Sequence, residues 1–302
     1  MNQSPVLSIQ NLRVAFKSNT GLNEVLHGIS YDLFPNEILG IVGESGSGKS
    51  VASLAIMGLL PPKNSVISTG EITFKNEDIL QYSQTQLEAI RGQKIAMIFQ
   101  EPMSALNPSM PCGTQVQEIL LQHTSITQKE AKNEVMRLFN DVKIPTPNET
   151  FKKYPHEISG GQQQRVMIAM AIACKPDVLI ADEPTTALDV TVQKDIITLL
   201  RTLQKESKMS VIFISHDLAL VSEIANRILV MYKGTIVERG DTKSVFKTPK
   251  EDYTKALIGA RPTLKSRLKL LPTISDFLSD SISKTVISNN ARTQKHKEIY
   301  SQ

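Results

Sequence analysis

The positions of apolar residues along the chain predict strands first and helices later. Residues 6–16 alternate between apolar and polar types, and residues 25–33 suggest a second strand, so an antiparallel β region is expected at the start. Further segments of strand length, most of them apolar, occupy residues 38–42, 70–74, 95–99, 178–181 and 211–214. The last two do not alternate, which is typical of strands covered on both faces of a parallel sheet.

Helical periodicity replaces the strand pattern over roughly residues 103–165. Apolar side chains recur there at helical spacing, for example Val116, Ile119, Leu120, Val135, Leu138 and Phe139. This pattern predicts a helical subdomain inserted into an α/β core. A helix over residues 161–174 is then expected to lead into the strand that begins at residue 178.

Composition fits one large or two modest globular domains, because 40% of the 302 residues are hydrophobic and 21% are charged. The net charge of +4 is uneven: residues 261–302 contain eight Lys and Arg against three Asp and Glu, which leaves −1 for residues 1–260. Such a tail could contact anionic lipid or RNA, although a solvated basic terminus is the commoner case. Residues 273–302 are rich in Ser, Thr, Asn and Lys, and we expect poor order there.

The first residues and the cysteines bear on where the chain works. No basic segment followed by an apolar one opens the sequence, and no window approaches 18 uninterrupted apolar residues, so neither a signal peptide nor a membrane span is predicted. Any membrane role is expected to depend on a partner. Cys112 and Cys174 are the only cysteines and lie far apart, which gives no disulfide framework and fits a reducing cytosol.

Residues 43–50 fit the pattern G-x-x-x-x-G-K-[ST], the phosphate-binding loop of nucleotide triphosphatases, between a predicted strand and a predicted helix. Glycines let such a loop curve around phosphate, so that N–H groups and the positive end of the helix dipole point at the anion. Lys49 is expected to reach the β- and γ-phosphates, and the Ser50 hydroxyl to ligate Mg²⁺. The predicted binding residues are Gly43, Glu44, Ser45, Gly46, Ser47, Gly48, Lys49 and Ser50.

The predicted fold class is therefore α/β: a P-loop NTPase core with a mostly parallel sheet, an N-terminal antiparallel β region and an inserted α-helical subdomain. We place the NTPase domain at residues 1–262, with the helical subdomain at about 103–165. Residues 263–302 form a C-terminal extension in this prediction.

Polar residues follow the predicted parallel strands. Asp182 and Glu183 end one strand, His216 ends another, and Gln100 follows the run at 95–99. Ligands of parallel sheets bind at the carboxyl ends of the strands. One carboxylate could hold Mg²⁺ through water and the adjacent one could polarise an attacking water, which is worth about 10²–10⁴-fold in rate. An Asp-Glu pair also serves in loops and helix caps, so the phosphate loop is what strengthens this interpretation.

A second candidate anion site opens the helix near residue 160, at Ser159, Gly160, Gly161 and Gln162. The simpler interpretation is an N-cap serine followed by flexible glycines. The functional one is a helix N-terminus aimed at a phosphate, with glycines that allow close approach. Since one chain does not need two such sites for one nucleotide, the second site would serve a nucleotide held by another subunit.

With these motifs, the chain resembles the nucleotide-binding subunit of an ATP-binding cassette (ABC) transporter over about residues 5–262. The markers appear in family order: the phosphate loop, Gln100, the signature at residues 159–162 with Ile158 in place of the usual Leu, Asp182-Glu183, the loop at residues 187–189, and His216. The resemblance implies that two cassettes close head to tail, with ATP between the phosphate loop of one chain and the signature of the other. It also implies that Phe16 stacks on adenine, since Phe retains an aromatic face.

The same resemblance implies roles for the polar residues at the strand ends. Gln100 and Asp182 would complete the environment of the metal begun by Ser50. Glu183 would act on the attacking water and His216 would contact the γ-phosphate. Asp189 would couple the two sites across the interface. The implied ligands are ATP and Mg²⁺.

A narrower resemblance points to the dipeptide, oligopeptide and nickel importer branch. It rests on residues 98–108, 154–157, 181–191 and 252–257. It implies a second ATPase subunit (a homologous chain or a second copy), two polytopic membrane permease subunits, an extracytoplasmic substrate-binding protein, no nucleic acid, and a peripheral position on the cytoplasmic face of the cell membrane. Many branch members carry a C-terminal cysteine cluster, but this chain has no Cys after Cys174, so we predict no iron–sulfur centre.

The favoured function is ATP hydrolysis that powers peptide import, and three alternatives were weighed against it. Import of nickel or another small solute, or export, would differ only in the partner chains. A soluble cassette ATPase of the DNA-repair type needs a long coiled coil between Ser50 and Ser159, and the ribosomal type carries two cassettes. A module that only senses ATP would not need Glu183 and His216.

Overall fold

The computed structural model describes residues 3–19, 21–101, 105–186 and 188–259. The predictions for the tail at 263–302 lie outside the described residues, as do Ala187 and residues 102–104 of the motifs. The described strands are β1 (Leu7–Ser18), β2 (Gly21–Leu33), β3 (Ile38–Val42), β4 (Ser65–Phe74), β5 (Glu77–Asp78), β6 (Ile95–Ile98), β7 (Val178–Asp182), β8 (Ser210–Ser215), β9 (Arg227–Tyr232) and β10 (Thr235–Asp241). The described helices are α1 (Lys49–Ile56), α2 (Gln84–Ile90), α3 (Cys112–His123), α4 (Gln128–Asp141), α5 (Pro147–Thr150), α6 (Gly160–Ile172), α7 (Val190–Ser207), α8 (Leu218–Ile224), α9 (Thr242–Lys247) and α10 (Asp252–Gly259).

The N-terminal strands form an antiparallel sheet in the order β2-β1-β4-β5. The alternating pattern of residues 6–16 predicts β1, and its inward side chains, such as Leu7, Ile9 and Val14, are fully buried. β2 begins at Gly21, earlier than the apolar pattern predicts, because its exposed first residues pair with the end of β1. The expected antiparallel region is therefore confirmed and is longer than expected.

The second sheet has the order β10-β9-β3-β8-β7-β6 and is parallel from β9 to β6, with β10 antiparallel at one edge. Every residue of β3, β7 and β8 is buried. Successive side chains of these strands enter different cores: Val211 and Phe213 pack in one, whereas Ile212 and Ile214 pack in the other. Coverage on both faces explains why the runs lack alternation, and it confirms the predicted α/β class.

Helices α3, α4 and α6 pack together on one side of this sheet. Their shared apolar side chains include Val116, Val135, Phe139 and Val166, each fully buried. A capping box between Thr127 and Glu130 starts α4. Helix α6 runs from Gly160 to Ile172, so it begins and ends slightly earlier than expected, and the proposed subdomain boundary at residue 165 lies inside it. Of the described helices, none combines the length and apolar character needed to cross a bilayer.

Candidate functional site

Four neighbouring strands bring the candidate residues to one edge of the parallel sheet. β6, β7, β8 and β3 lie side by side and run in the same direction. Gln100, Asp182 with Glu183, His216 and the phosphate loop are at or just beyond the carboxyl ends of these strands. Parallel pairing thus places segments that are far apart in sequence at the same edge, where ligands of such sheets bind.

The phosphate loop joins β3 to α1, and its glycines are required by their surroundings. A Cβ on Gly43 would lie 2.1 Å from the carbonyl oxygen of Met231. Gly48 is the N-cap residue of α1, has a φ of 101°, and would place a Cβ 2.6 Å from Leu26. At Gly43 a larger residue would collide with backbone, and at Gly48 it would displace the Leu26 side chain and strain a backbone with positive φ. The loop therefore lies tightly against β2 and β9 and leads into a helix N-terminus whose first N–H groups have no intrahelical acceptor.

The side chain of Lys49 folds back onto the phosphate loop. Its Nζ donates hydrogen bonds to the carbonyl oxygens of Gly43 and Glu44, both at 2.8 Å, and the residue is only 5% exposed. Burial lowers the pKa of the Lys49 ammonium, and the nearby carboxylates of Glu183 and Asp182 act in the opposite direction. The loop thus contains a buried cation with three donors, which suits a phosphate anion.

Asp182 provides an acceptor that the protein itself leaves unused. Its carboxyl group is buried, and Oδ1 has no hydrogen-bond partner among the described residues. Burial raises the pKa of this carboxyl, and the nearby Ser50 hydroxyl partly opposes the shift. Buried carboxylates are usually paired or bind a metal. A carboxylate and a hydroxyl are oxygen ligands of the kind Mg²⁺ prefers, so the residues present fit this ion.

Glu183 is the centre of a polar cluster at the end of β7. Its Oε2 accepts hydrogen bonds from Nε2 of Gln100 at 3.2 Å and Oγ1 of Thr186 at 2.9 Å, and it lies 3.1 Å from Nδ1 of His216. The Glu183 backbone has a φ of 47°, and its N–H donates to the Ile214 carbonyl of β8 at 3.0 Å. Three motif residues from three strand ends therefore meet at one carboxylate oxygen. His216 is largely exposed, with 61% of its side chain accessible, so it is not a core histidine.

Residues 159–162 form a capping box at the start of α6. Ser159 Oγ accepts from the N–H of Gln162, and Gln162 Oε1 accepts from the N–H of Ser159. Gly160 has open space around it, since a Cβ there would meet no atom within 4 Å. Within the described part of the chain, no hydrogen bond or ion pair joins this segment to the phosphate loop. Ser159 and Gly160 are exposed, so the N-terminus of α6 is accessible.

Two further candidates also have local structural roles. Asp189 is the N-cap of α7, where Oδ1 accepts from the N–H of Val192 at 2.9 Å. Phe16 lies on β1 opposite Asn23 of β2 and Ser65 of β4, where it is half-buried against the core below the antiparallel sheet. Both side chains keep exposed surface, so these structural roles leave room for contact with a ligand or a second chain.

The structure adds contacts to the loop that the sequence does not single out. The N–H of Gly234 donates to the Ser47 carbonyl at 3.1 Å, and the N–H of Glu44 donates to the Tyr253 hydroxyl at 3.1 Å. A glycine between two strands is a turn signal that could have drawn attention to Gly234. Nothing local indicates that Tyr253 meets the loop.

Comparison with known proteins decides the family. The family model described as "ABC transporter" matches residues 26–186, which is more than half of the chain. The chain belongs to the ABC transporter family. It is accordingly an ATP-binding cassette and an ATPase of the ABC type, and the resemblance stated from the motifs is confirmed.

Relatives and solved structures agree with this assignment. The cassette is 49% identical to the dipeptide transport ATP-binding protein DppD of Bacillus subtilis (strain 168), over 86% of this chain and 77% of that one. It is 46% identical to the oligopeptide transport ATP-binding protein OppD of the same strain, over 86% and 73% of the two chains. The dimeric post-hydrolysis structure of the ATP-binding cassette MJ0796, bound to ADP and Pi, matches with a TM-score of 0.70 at 26% identity, over 78% of this chain and 98% of that chain.

Proposed function

We propose that this chain is the ATP-hydrolysing subunit of an importer that moves di- or oligopeptides across the cytoplasmic membrane. The observation that carries the ATPase half of the proposal is the cluster at Glu183, where Gln100 and His216 meet the carboxylate beside a phosphate loop. Peptide transport is supported by the names of the relatives at 46–49% identity. The substrate itself would be selected by other chains.

Hydrolysis would proceed by division of roles among the strand-end residues. Lys49 would exchange the Gly43 and Glu44 carbonyls for phosphate oxygens, and the N-terminus of α1 would add N–H donors. Ser50 and Asp182 would hold Mg²⁺, with Gln100 completing its surroundings. When bound, the ion neutralises charge that develops on the phosphates. Glu183 would orient and polarise the attacking water, and His216 would contact the γ-phosphate.

A single chain would provide only half of each complete site. The exposed N-terminus of α6, with Ser159 and the open Gly160, would close onto the nucleotide of a second ATPase subunit, and Asp189 would lie at that interface. Phe16 would stack on adenine. The dimer would bind two polytopic permease subunits on the cytoplasmic face of the membrane, with an extracytoplasmic binding protein supplying substrate and with no nucleic acid involved.

The test is to isolate the chain from its native membranes and identify what accompanies it. We expect polytopic membrane proteins and a second cassette ATPase in the purified complex, and loss of di- or oligopeptide uptake in cells that lack the chain. Normal peptide uptake with loss of nickel uptake would contradict the peptide assignment and favour the small-solute alternative. Recovery with ribosomes or nucleic acid alone would contradict a role in transport.

A further inference from the structure

The outer part of the phosphate loop is attached to a helix from the far end of the described chain. The hydroxyl of Tyr253, in α10, accepts a hydrogen bond from the N–H of Glu44 at 3.1 Å, although the two residues are 209 positions apart. Tyr253 is 5% exposed, whereas Glu44, Ser45 and Gly46 are all exposed. A buried and well-packed group therefore meets the loop where the loop has little packing of its own.

Two sets of contacts hold Tyr253 and the segment just before it. Its ring packs on that of Tyr232 in β9, with ring centroids 4.2 Å apart. The buried carboxylate of Glu238 in β10 accepts hydrogen bonds from the N–H groups of Lys250 and Glu251, at 2.8 and 3.1 Å, directly before α10 begins. These contacts tie the start of α10 to the β9–β10 hairpin, so the Tyr253 hydroxyl is presented to the loop from a rigid support.

The same hairpin contacts the loop a second time. Gly234, in the turn between β9 and β10, donates from its N–H to the Ser47 carbonyl at 3.1 Å, and its own carbonyl accepts from the N–H of His27 in β2 at 3.0 Å. The hairpin and α10 thus contact the loop at Ser47 and at Glu44. Inside the loop, the Ser47 N–H donates to the Glu44 carbonyl at 3.2 Å. The loop is thus held from outside at both Glu44 and Ser47, and these two residues are also joined to each other.

The chemistry of the Tyr253 contact suits a permanent attachment. Burial raises the pKa of the Tyr253 phenol to about 12, so the hydroxyl stays neutral near neutral pH and its acceptor strength does not vary. The Lys49 ammonium contacts the carbonyl side of Glu44, while Tyr253 contacts its N–H. The bond to Tyr253 would therefore remain in place when Lys49 turns to a phosphate.

We propose that Tyr253 is a positioning residue that holds the phosphate loop in its nucleotide-binding shape. This role rests on the proposed nucleotide site at residues 43–50. Without the hydroxyl, the segment around Glu44 would sample more conformations, and nucleotide binding would have to restrict them. Chemistry at Glu183 would be unchanged once ATP is bound. Loss of the Tyr253 hydroxyl should therefore raise KM and leave kcat unchanged.

The decisive comparison is Tyr253→Phe against Tyr31→Phe in the full-length protein. Tyr31 is a matched control, since it is equally buried and its hydroxyl has no hydrogen-bond partner among the described residues. For Tyr253→Phe we expect KM for MgATP to rise about two- to tenfold, as loss of one net hydrogen bond predicts, with kcat within about twofold of wild type. Hydrogen exchange of the peptide covering Glu44 should accelerate in the nucleotide-free protein. Tyr31→Phe should change neither.

Each other outcome overturns the role. Unchanged KM and unchanged exchange in Tyr253→Phe would show that the hydroxyl does not hold the loop. An equal rise of KM in both variants would make Tyr253 a general packing residue. Exchange that accelerates throughout the core, with a lowered Tm, would do the same. If wild type binds no ATP, the proposed nucleotide site fails, and the role of Tyr253 in nucleotide binding fails with it; unchanged exchange at Glu44 would separately overturn the contact.

Discussion

Nδ1 of His216 lies 3.1 Å from Oε2 of Glu183, across the ends of two adjacent parallel strands. The carboxylate proposed to act on water thus contacts His216 and also accepts a hydrogen bond from Gln100. A water and a γ-phosphate would have to replace these partners. If Glu183 acts on water as proposed, we expect bound ATP to draw His216 and Gln100 away from the carboxylate.

The first prediction concerns Glu183. Glu183→Gln should retain ATP binding, because the amide keeps the size of the side chain, and hydrolysis should fall by about two to four orders of magnitude because the base is lost. ATP should then accumulate in a closed dimer. Phosphate release and size-exclusion chromatography with ATP measure the two effects.

A matched control for this change is Glu206→Gln. Glu206 is exposed in the last turn of α7, just before the amino end of β8, whereas the candidate residues lie at the carboxyl ends of the strands. Removing its charge should therefore leave turnover unchanged. Near-normal turnover in Glu183→Gln would refute the proposed role of its carboxylate.

The second prediction separates folding of one chain from closure of two. Gly160→Ala should fold normally and bind ATP, since a Cβ there meets nothing within 4 Å, and Ala should raise the free energy of unfolding by up to about 1 kcal/mol in the first turn of α6. ATP hydrolysis should nevertheless drop at least about tenfold, because the methyl group would face the nucleotide of the other subunit. Urea unfolding and ATPase assays give the two values.

Gly161→Ala serves as the comparison for effects inside one chain. Its Cβ would lie 3.1 Å from Val192 and disturb packing there. If Gly160→Ala hydrolyses ATP at the wild-type rate, the N-terminus of α6 does not complete a nucleotide site.

The third prediction concerns the turn that contacts the phosphate loop. Gly234→Ala should lower the free energy of unfolding by about 2 kcal/mol or more, because φ is +76° and the Cβ would lie 2.1 Å from the Val25 carbonyl. Gly21→Ala has a positive φ of +124° but open space, so it should cost about 1 kcal/mol. Urea denaturation of both variants tests the difference, and equal losses would show that the contact with Val25 yields at little cost.

The parallel sheet could be predicted from the sequence, because burial on both faces of β7 and β8 leaves continuous apolar runs. The phosphate loop could be predicted because its glycines occupy fixed positions. The polar residues at the strand ends could be predicted as well, because each follows directly after one of these apolar runs. The bond between Tyr253 and Glu44 could not be predicted, because no periodicity says which hydroxyl meets which amide across 209 positions. The turn at Gly234 has a sequence signal, yet its contacts with Ser47 and Val25 depend on how two sheets are placed.

Glu183 occupies a left-handed backbone conformation, with φ of 47°, which a residue with a side chain adopts at a cost of about 1–2 kcal/mol. Gly or Asn would fit that backbone better, so Glu183 is locally unfavourable for folding at the position where the proposed mechanism needs a carboxylate. Selection for thermostability alone would favour replacing it. Such a selection would yield a more stable cassette that holds ATP without turning it over, which makes this position a point where stability and turnover conflict.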